Sequence, residues 1–233
     1  MHFKATLLPT VVTFLLLYLL VSLGFWQLDR AEKKHALLAE YRQGDEGGAV
    51  FIRQQMANIE ELAYQMARSQ GHYDSQQQLL LDNRTHDGQA GYHVVTPLRL
   101  ADGSAVLVNR GWVSLGRDRA QLPDVSVNEA GRQVVGRIKP LQADVFRLGE
   151  ELLRERWPYR VQHIDVETIS AELGYPVMPF VLLLASDQAD GFVRDWKPLT
   201  FGPERNQGYA VQWFGLAVAL LLIYIVVNIK RES

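Results

Sequence analysis

Several residue types are missing from all or part of this sequence, and each absence excludes a class of chemistry. The 233 residues contain no cysteine, which excludes disulfide bonds and thiolate metal ligands. Two terminal runs, Ala5–Leu28 and Asn206–Ile229, contain no Asp, Glu, Lys, Arg or His, so the intramembrane proton relays and ion pairs of pumps and transporters are not expected. Between Asp29 and Arg205, 21 basic residues stand against 25 acidic ones, a balance that does not fit a nucleic-acid-binding surface.

Sequence signatures of the common enzyme classes are missing as well. There is no phosphate-binding loop, no Gly-x-Ser-x-Gly elbow and no His-Glu-x-x-His motif. Three histidines and three nearby aspartates could supply metal ligands: His72, His86, His93, Asp74, Asp82 and Asp87. Turn-forming residues from Asp82 to Gly88 favour an exposed loop there instead. The charged segment Glu150–Arg156 is most simply a solvated helix face. We therefore predict a protein that is not an enzyme and holds no metal site.

The two uncharged terminal runs are long enough to cross a membrane. Each has 24 residues, which as a helix reach roughly 36 Å against a hydrocarbon core of about 30 Å. A cleaved signal peptide is the alternative for the first run, but Ser22 to Trp26 offers bulky residues where a cleavage site needs small ones. A buried core helix is the alternative for the second run, and the unbroken apolar stretch around Leu220 argues against it. We predict transmembrane helices at residues 7–28 and 206–229.

Charged and aromatic residues predict the side of the membrane that each segment occupies. Positive charge flanks the outer ends of both runs, at Lys4, Lys230 and Arg231. Because positive charge favours the cytoplasmic side, residues 1–6 and 230–233 are predicted as cytoplasmic tails and residues 29–205 as a domain on the opposite face. Basic residues also follow the first run, but long loops are translocated largely regardless of charge. Aromatic residues typical of the membrane interface lie at the inner ends of the runs, namely Trp26, Tyr209 and Trp213.

The middle segment predicts an α+β domain with a mainly antiparallel sheet and a few helices. The first membrane helix is expected to continue from Asp29 to Gln43, and a second helix is expected at Ala49–Ser69, where apolar residues recur every three or four positions. Short apolar or alternating runs predict strands at Gln78–Leu81, Tyr92–Leu100, Ala105–Asn109, Gln133–Ile138, Arg160–His163 and Pro179–Leu184. A short helix is predicted at Val166–Leu173, with Asp165 as its N-cap and Gly174 as its end.

One strand motif has an unusual composition. Leu107–Val113 would bring Asn109, Arg110 and Trp112 to a turn beside Gly111. Such a set can clamp a carboxylate or a phosphate, because the guanidinium group binds both in a bidentate manner. Judged by its chemistry alone, the motif favours structural hydrogen bonding over ligand binding.

Five motifs follow one another in a recognisable order: Leu23–Arg30, Leu81–Arg84, Gly91–Leu98, Val108–Val113 and Gly208–Phe214. Each motif is weak alone, but together they cover both ends and the middle of the chain. In this combination the sequence resembles the surfeit locus family of cytochrome c oxidase assembly factors. The resemblance implies a non-catalytic assembly factor of the bacterial inner membrane, with a periplasmic domain and cytoplasmic termini.

The resemblance also implies a cofactor and partners. Members are thought to help deliver haem a to the catalytic subunit of the terminal oxidase, so haem a is expected as a transient cofactor. The expected partners are that subunit and haem a synthase. Residues expected near the haem are aromatic or basic: Trp26, Arg30, Arg205, Tyr209 and Trp213. Residues expected in the partner or motif positions are Gln27, Asn109, Arg110, Gly111, Trp112 and Gln212.

One position departs from the family pattern. The haem-ligand histidine expected three residues before Tyr209 is replaced by Asn206, and Asn is a poor iron ligand. His35 is not expected to substitute, because a continuous helix would place it about 13 Å beyond Trp26. Two interpretations stay open: a scaffold for an oxidase that supplies its own ligands, or a member that has lost haem binding. A membrane-tethered binding module without haem handling is the alternative function.

Overall fold

A computed structural model describes residues 2–3, 6–52, 59–116, 121–141 and 157–230. The chain forms two compact units, the first from residues 1–39 with 197–233 and the second from residues 40–196. Their elements in chain order are β1 (His2–Phe3), α1 (Leu7–Glu46), β2 (Val50–Phe51), a 3₁₀ turn (Ile59–Leu62), β3 (Met66–Tyr73), β4 (Leu79–His86), β5 (Gln89–Arg99), β6 (Ala105–Ser114), β7 (Arg132–Pro140), β8 (Tyr159–Val161), α2 (Val166–Leu173), β9 (Val177–Leu184), α3 (Pro203–Asn228) and β10 (Ile229–Lys230).

The first unit is built from two apolar helices. The most apolar 18-residue windows of α1 and α3 have mean hydropathies of 2.2 and 2.4, and both helices are long enough to cross a membrane. Most apolar side chains in those windows are exposed on the isolated chain. Because an exposed apolar surface of this extent needs an apolar solvent, the two helices indicate membrane anchoring. At their far ends β1 and β10 form an antiparallel pair, with Phe3 opposite Ile229.

The two helices of the first unit pack in antiparallel fashion through a small residue and an aromatic one. A Cβ atom added to Gly24 would lie 2.5 Å from Cε1 of Phe214, so only glycine leaves room for that ring. Phe25 packs edge-on against the same ring, with centroids 5.4 Å apart. Farther along, Thr10 Oγ1 lies 2.7 Å from the Tyr224 hydroxyl. Close packing of this kind is what joins helices in lipid, where no hydrophobic effect acts between them.

The second unit is a sheet-rich domain. Its strands follow the order β2-β3-β7-β9-β6-β5-β4-β8, and a further pairing of β3 with β5 closes β3, β7, β9, β6 and β5 into a barrel-like sheet. Antiparallel pairs join β3 to β5 and β7, β4 to β5, β5 to β6, and β7 to β9, whereas β2–β3, β4–β8 and β6–β9 are parallel. The predicted fold class, two apolar helices flanking a mainly antiparallel sheet domain with a few helices, is confirmed.

Apolar side chains from alternating strand positions fill the interior of this domain. One cluster includes Val108, Ile138 and Phe180, contributed by β6, β7 and β9. A second cluster receives Ile169 and Leu173 from α2. The bounds of α2 match the prediction. The Asp165 side chain accepts hydrogen bonds from two backbone N–H groups of its first turn, and Gly174 ends it in the left-handed conformation, with φ of 76°.

The predicted helix at Ala49–Ser69 is wrong in the part of the chain that the structure describes; residues 53–58 lie outside it. Val50 and Phe51 form β2, and Met66 already belongs to β3, which pairs with β7. The apolar stripe does pack on its own domain, since Ile52, Ile59 and Leu62 contact the first core cluster. The three-to-four spacing therefore arises because the end of a strand and a 3₁₀ turn both pack against the same core. Tertiary pairing of the strands overrides the local periodicity that predicted a helix.

Several other boundaries also differ from the sequence prediction. The helix continuation after Asp29 is present, and α1 runs to Glu46 without a break. The expected loop from Asp82 to Gly88 is instead the end of β4 and a tight turn, with φ of 47° at Asp87 and 78° at Gly88. The charged segment Glu150–Arg156 lies outside the described residues, as do Lys4 and Arg231, on which part of the orientation prediction depends.

Candidate functional site

A cavity of about 510 Å³ lies in the first unit, along α1 just beyond its most apolar part and beside the segment that leads into α3. Its walls combine basic, aromatic, apolar and amide side chains: Trp26, Gln27, Arg30, Lys33, Lys34, Leu37, Leu199, Phe201, Arg205, Asn206 and Tyr209. The residues from α1 follow a spacing of three and four, which places them on one helix face. This combination of charged and aromatic walls suits a ligand with an acidic group on an apolar body.

Four of the lining residues carry positive charge. Lys33 is paired with Asp29, with Nζ 2.7 Å from Oδ2 in an exposed i,i+4 pair. Within the described residues, no carboxylate forms a salt bridge with Arg30, Lys34 or Arg205. Three cations of the cavity are therefore uncompensated by a neighbouring acid, which makes the cavity attractive to anions.

Aromatic rings orient the two guanidinium groups of the cavity. The Arg205 guanidinium lies 4.3 Å from the ring centroid of Phe201 and 5.8 Å from that of Tyr209. The Arg30 guanidinium lies 5.6 Å from the ring centroid of Trp26. Cation–π contacts of this kind restrict a long side chain without using its hydrogen-bond donors. Arg205 Nη2 also donates to the Tyr209 hydroxyl, at 3.4 Å. The other donors of the two guanidinium groups have no acceptor among the described residues and remain available to an anion.

Asn206, where the resemblance led us to expect a histidine, is hydrogen-bonded on both sides of its amide. Its Oδ1 accepts from Lys34 Nζ at 2.7 Å, and its Nδ2 donates to Gln27 Oε1 at 2.6 Å. Lys34 Nζ also donates to the Phe201 carbonyl at 3.1 Å. The residue therefore holds an ammonium group at the cavity, and no His or Met is among the residues that line it.

His35 lies closer to Asn206 along the helix axis than the sequence predicted. Its Nε2 is 3.2 Å from Nε2 of Gln207, the neighbour of Asn206. The expectation that His35 would lie too far away was wrong, because α3 begins at Pro203 and its first turn runs alongside the polar extension of α1. His35 is exposed and is not among the cavity residues.

The Asn-Arg-Gly-Trp motif lies inside the second unit. Val94 pairs with Gly111 and Val95 with Asn109, so Arg110 is the extra residue of a β-bulge in β6. Gly111 has φ of 120°, and a Cβ atom there would lie 2.7 Å from the Val193 carbonyl oxygen. The bulge turns Arg110 into the interior, where 2% of its surface is exposed.

The Arg110 guanidinium uses all of its nitrogens within the domain. Nε donates to the Asp190 carbonyl at 2.8 Å and Nη2 to the Ser126 carbonyl at 3.3 Å. Nη1 has three acceptors: Gln78 Oε1 at 3.0 Å, Thr96 Oγ1 at 3.3 Å and the Val125 carbonyl at 2.9 Å. Burial lowers the pKa of Arg110 to about 10. These contacts are those of a structural hub, and contact of this motif with a partner stays a prediction.

His93, one of the three histidines considered and rejected as metal ligands, is partly buried in the second unit. Among the described residues, no group of three or more His, Cys, Asp or Glu side chains could hold a metal ion. Burial, followed by the charges of Arg84 and Lys139, lowers the pKa of His93 to about 4. His93 Nδ1 lies 3.2 Å from Asn109 Nδ2. Because that amide nitrogen donates, Nδ1 is the acceptor of a neutral imidazole.

The structure brings five of the predicted residues together in the cavity, namely Trp26, Gln27, Arg30, Arg205 and Tyr209. Gln212 and Trp213 lie about one turn farther along α3 and are not among the lining residues. Five further lining residues were not predicted from the sequence: Lys33, Lys34, Leu37, Leu199 and Phe201. The α1 members were detectable, since Arg30, Lys33, Lys34 and Leu37 follow the i, i+3, i+4, i+7 spacing of one helix face.

Comparisons with known proteins agree over most of the chain. The model of the SURF1 family matches residues 14–218. A SURF1-like protein of Rickettsia felis is 26% identical over 230 residues, covering 95% of this chain and 96% of the relative. A SURF1-like protein of Rickettsia bellii is 28% identical over 228 residues, with 94% and 89% covered. Surfeit locus protein 1 of Xenopus tropicalis is 26% identical over 250 residues, with 92% and 75% covered.

Proposed function

This chain belongs to the SURF1 family, and on that premise we propose that it is a membrane-anchored assembly factor for cytochrome c oxidase that catalyses no reaction itself. The match of the family model over residues 14–218, which includes most of both apolar helices and the whole sheet domain, is the observation that carries the proposal. We place the protein in the bacterial inner membrane, with both termini cytoplasmic and the domain periplasmic. The basic residues beyond the outer helix ends support this orientation.

The more specific part of the proposal is that the protein assists haem a insertion into the catalytic subunit. Haem presents a wide ring and two propionates, and the cavity offers aromatic faces together with three uncompensated cations. In this proposal Arg30 and Arg205 meet the propionates, and Trp26 and Tyr209 contact the ring. Trp213 extends the aromatic surface along α3.

The cavity fits the acidic edge of haem better than it fits the iron. Its lining contains no imidazole or thioether, and both sides of the Asn206 amide are engaged by Gln27 and Lys34. We therefore propose that haem is held as cargo without a permanent axial ligand from this cavity, and that the catalytic subunit supplies the ligands. Haem a synthase is the partner proposed to hand over the cargo.

The test is the oxidase content of membranes from a strain that lacks the gene. A reduced-minus-oxidised spectrum measures haem a, and immunoblotting measures the catalytic subunit. We expect a loss of haem a that the natural chain restores and that Arg30→Gln/Arg205→Gln and Trp213→Ala restore poorly. Arg42→Gln/Arg68→Gln is the matched control, because it removes two exposed arginines outside the cavity.

Each outcome separates the proposals. Full oxidase in the deletion strain would contradict an assembly function and favour a membrane-tethered binding module that handles no haem. Catalytic subunit present without haem a would support insertion of the cofactor. Parallel loss of subunit and haem a, with full activity of the cavity variants, would support a scaffold that does not use the cavity.

A further inference from the structure

We infer that the cavity on α1 and α3 binds the phosphate headgroup of an anionic phospholipid. This inference does not depend on a role in oxidase assembly, since it follows from the charges, rings and position of the cavity. It assigns a ligand class, an acidic phosphodiester on an acyl-chain body, to a site in the first unit.

The charge of the cavity favours an anionic ligand. Arg30, Lys34 and Arg205 line the cavity without a salt bridge to any carboxylate that the structure describes. Lys34 Nζ donates two of its three N–H groups to the Asn206 side chain and the Phe201 carbonyl, which leaves one N–H for a ligand. A phosphodiester carries one negative charge and accepts several hydrogen bonds, so it complements this set of donors.

The position of the cavity along the two helices favours a lipid headgroup. On α1, the exposed apolar side chains run from Leu7 to Leu28, and the cavity residues of this helix begin at Trp26. On α3, the cavity residues end at Tyr209 and the exposed apolar side chains continue from Val211. The cavity thus lies where the apolar surface gives way to charge, which is the level of lipid headgroups.

The walls of the cavity favour a lipid over a free anion. Trp26 and Tyr209 are 51% and 40% exposed, as expected for rings at a membrane interface. Leu37, Leu199 and Phe201 give the cavity apolar walls that inorganic phosphate would not use. At about 510 Å³, the cavity falls in the usual range for small-molecule sites and has room for a glycerophosphate headgroup.

Lipid titration of the full-length chain in a neutral detergent, followed by native mass spectrometry, tests the inference. Phosphatidylglycerol carries the proposed headgroup, and phosphatidylcholine is the zwitterionic control. We expect at least tenfold tighter binding of phosphatidylglycerol. Each arginine near an anionic headgroup contributes about fivefold, so Arg30→Gln/Arg205→Gln should bind roughly 25-fold more weakly. Arg42→Gln/Arg68→Gln, with the same net charge as that variant, should bind like the natural chain.

Three results would overturn the inference. One is equal binding of the two lipids by the natural chain. This comparison needs no variant, so it stays valid even if a variant fails to fold. Another is equal weakening in the cavity variant and in its charge-matched control, which would reduce the effect to net charge. The third is displacement of phosphatidylglycerol by millimolar inorganic phosphate, which would identify a free-anion site. The oxidase content of the deletion strain is measured separately, so neither proposal fails with the other.

Discussion

Replacement of Arg110 by alanine should destabilise the sheet domain rather than remove a contact surface. The sequence favoured structural hydrogen bonding for this residue and also placed it among the motif positions for a partner. In the structure the side chain is 2% exposed and donates to five acceptors. The variant would leave a space in the interior and remove the donor that holds the bulge of β6.

The magnitude follows from which acceptors lose their partners. Gln78 keeps its bonds to Thr96 and to the Val125 carbonyl, so that part of the network survives. The carbonyl oxygens of Ser126 and Asp190 lose the guanidinium at about 1 kcal/mol each, because both residues are exposed and water can reach them. The space left by the buried side chain adds roughly 2 kcal/mol. Relief of the desolvation that lowers the pKa of Arg110 offsets part of this loss. We expect a net destabilisation of about 3 kcal/mol.

Thermal unfolding of the full-length chain in detergent, followed by tryptophan fluorescence at one scan rate, measures the effect. For domains of roughly 150–250 residues, each kcal/mol shifts the midpoint by about 2–4 °C, so we expect a drop of roughly 6–12 °C. Arg132→Ala is the matched control, because Arg132 pairs with the carboxylate of Asp190 nearer the surface. Its loss should cost at most about 1 kcal/mol.

An unchanged midpoint in Arg110→Ala would refute the structural assignment. If oxidase content nevertheless fell in cells, the motif would act as a contact surface that opens on binding. A drop in midpoint together with a proportional loss of oxidase would instead assign the loss to folding.

Three further predictions concern other parts of the chain. The folded domain holds His93 neutral with a pKa of about 4, whereas an unfolded imidazole binds a proton below about pH 6.5. Because the unfolded chain then binds the extra proton, the free energy of unfolding should fall by about 3 kcal/mol as the pH drops from 6.5 to 4. In His93→Gln the unfolding midpoint should depend much less on pH over this range. Gly24→Leu should lower the free energy of unfolding by about 1–3 kcal/mol, because its side chain meets the Phe214 ring. Gly215→Leu is the control and should leave the midpoint unchanged, since nothing lies within 4 Å of a Cβ atom there. Purified Asn206→His should show the spectrum of ligated haem when it is made in a strain that produces haem a. An equal amount of bound haem in the natural chain would mean that another residue ligates the iron.

Much of the architecture could be predicted because its physical causes are local. Membrane helices follow from long uncharged runs, and α2 follows from the capping residues Asp165 and Gly174. The helix at Ala49–Ser69 was mispredicted because its periodicity arises from a strand and a 3₁₀ turn that share one core. Pairing of β3 with β7 and β5 is a non-local property, and no pattern within residues 66–73 specifies those partners.

The site was partly predictable for the same reason. Trp26 and Tyr209 were predicted at the membrane interface because aromatic residues are typical of the ends of membrane-spanning runs in any fold. Arg205 was predicted only from the family resemblance. Lys34 and Phe201 were missed because their role depends on which turn of α3 lies beside α1. Periodicity indicates the face of α1, but only the register between the two helices shows that Lys34 meets Asn206.

That register shows what Asn206 does at the position where the resemblance led us to expect a histidine. A histidine at position 206 would offer a nitrogen to a metal, whereas Asn206 offers Oδ1 to the Lys34 ammonium and fixes it beside the cavity. If the cavity binds a ligand, we therefore expect it to recognise an acidic group rather than iron. A phosphodiester and the propionates of haem would then use the same cations. Bound phosphatidylglycerol should therefore weaken haem binding by the natural chain. The effect should be far smaller in Asn206→His, because the bond from the histidine to the iron does not involve the cations that the lipid occupies.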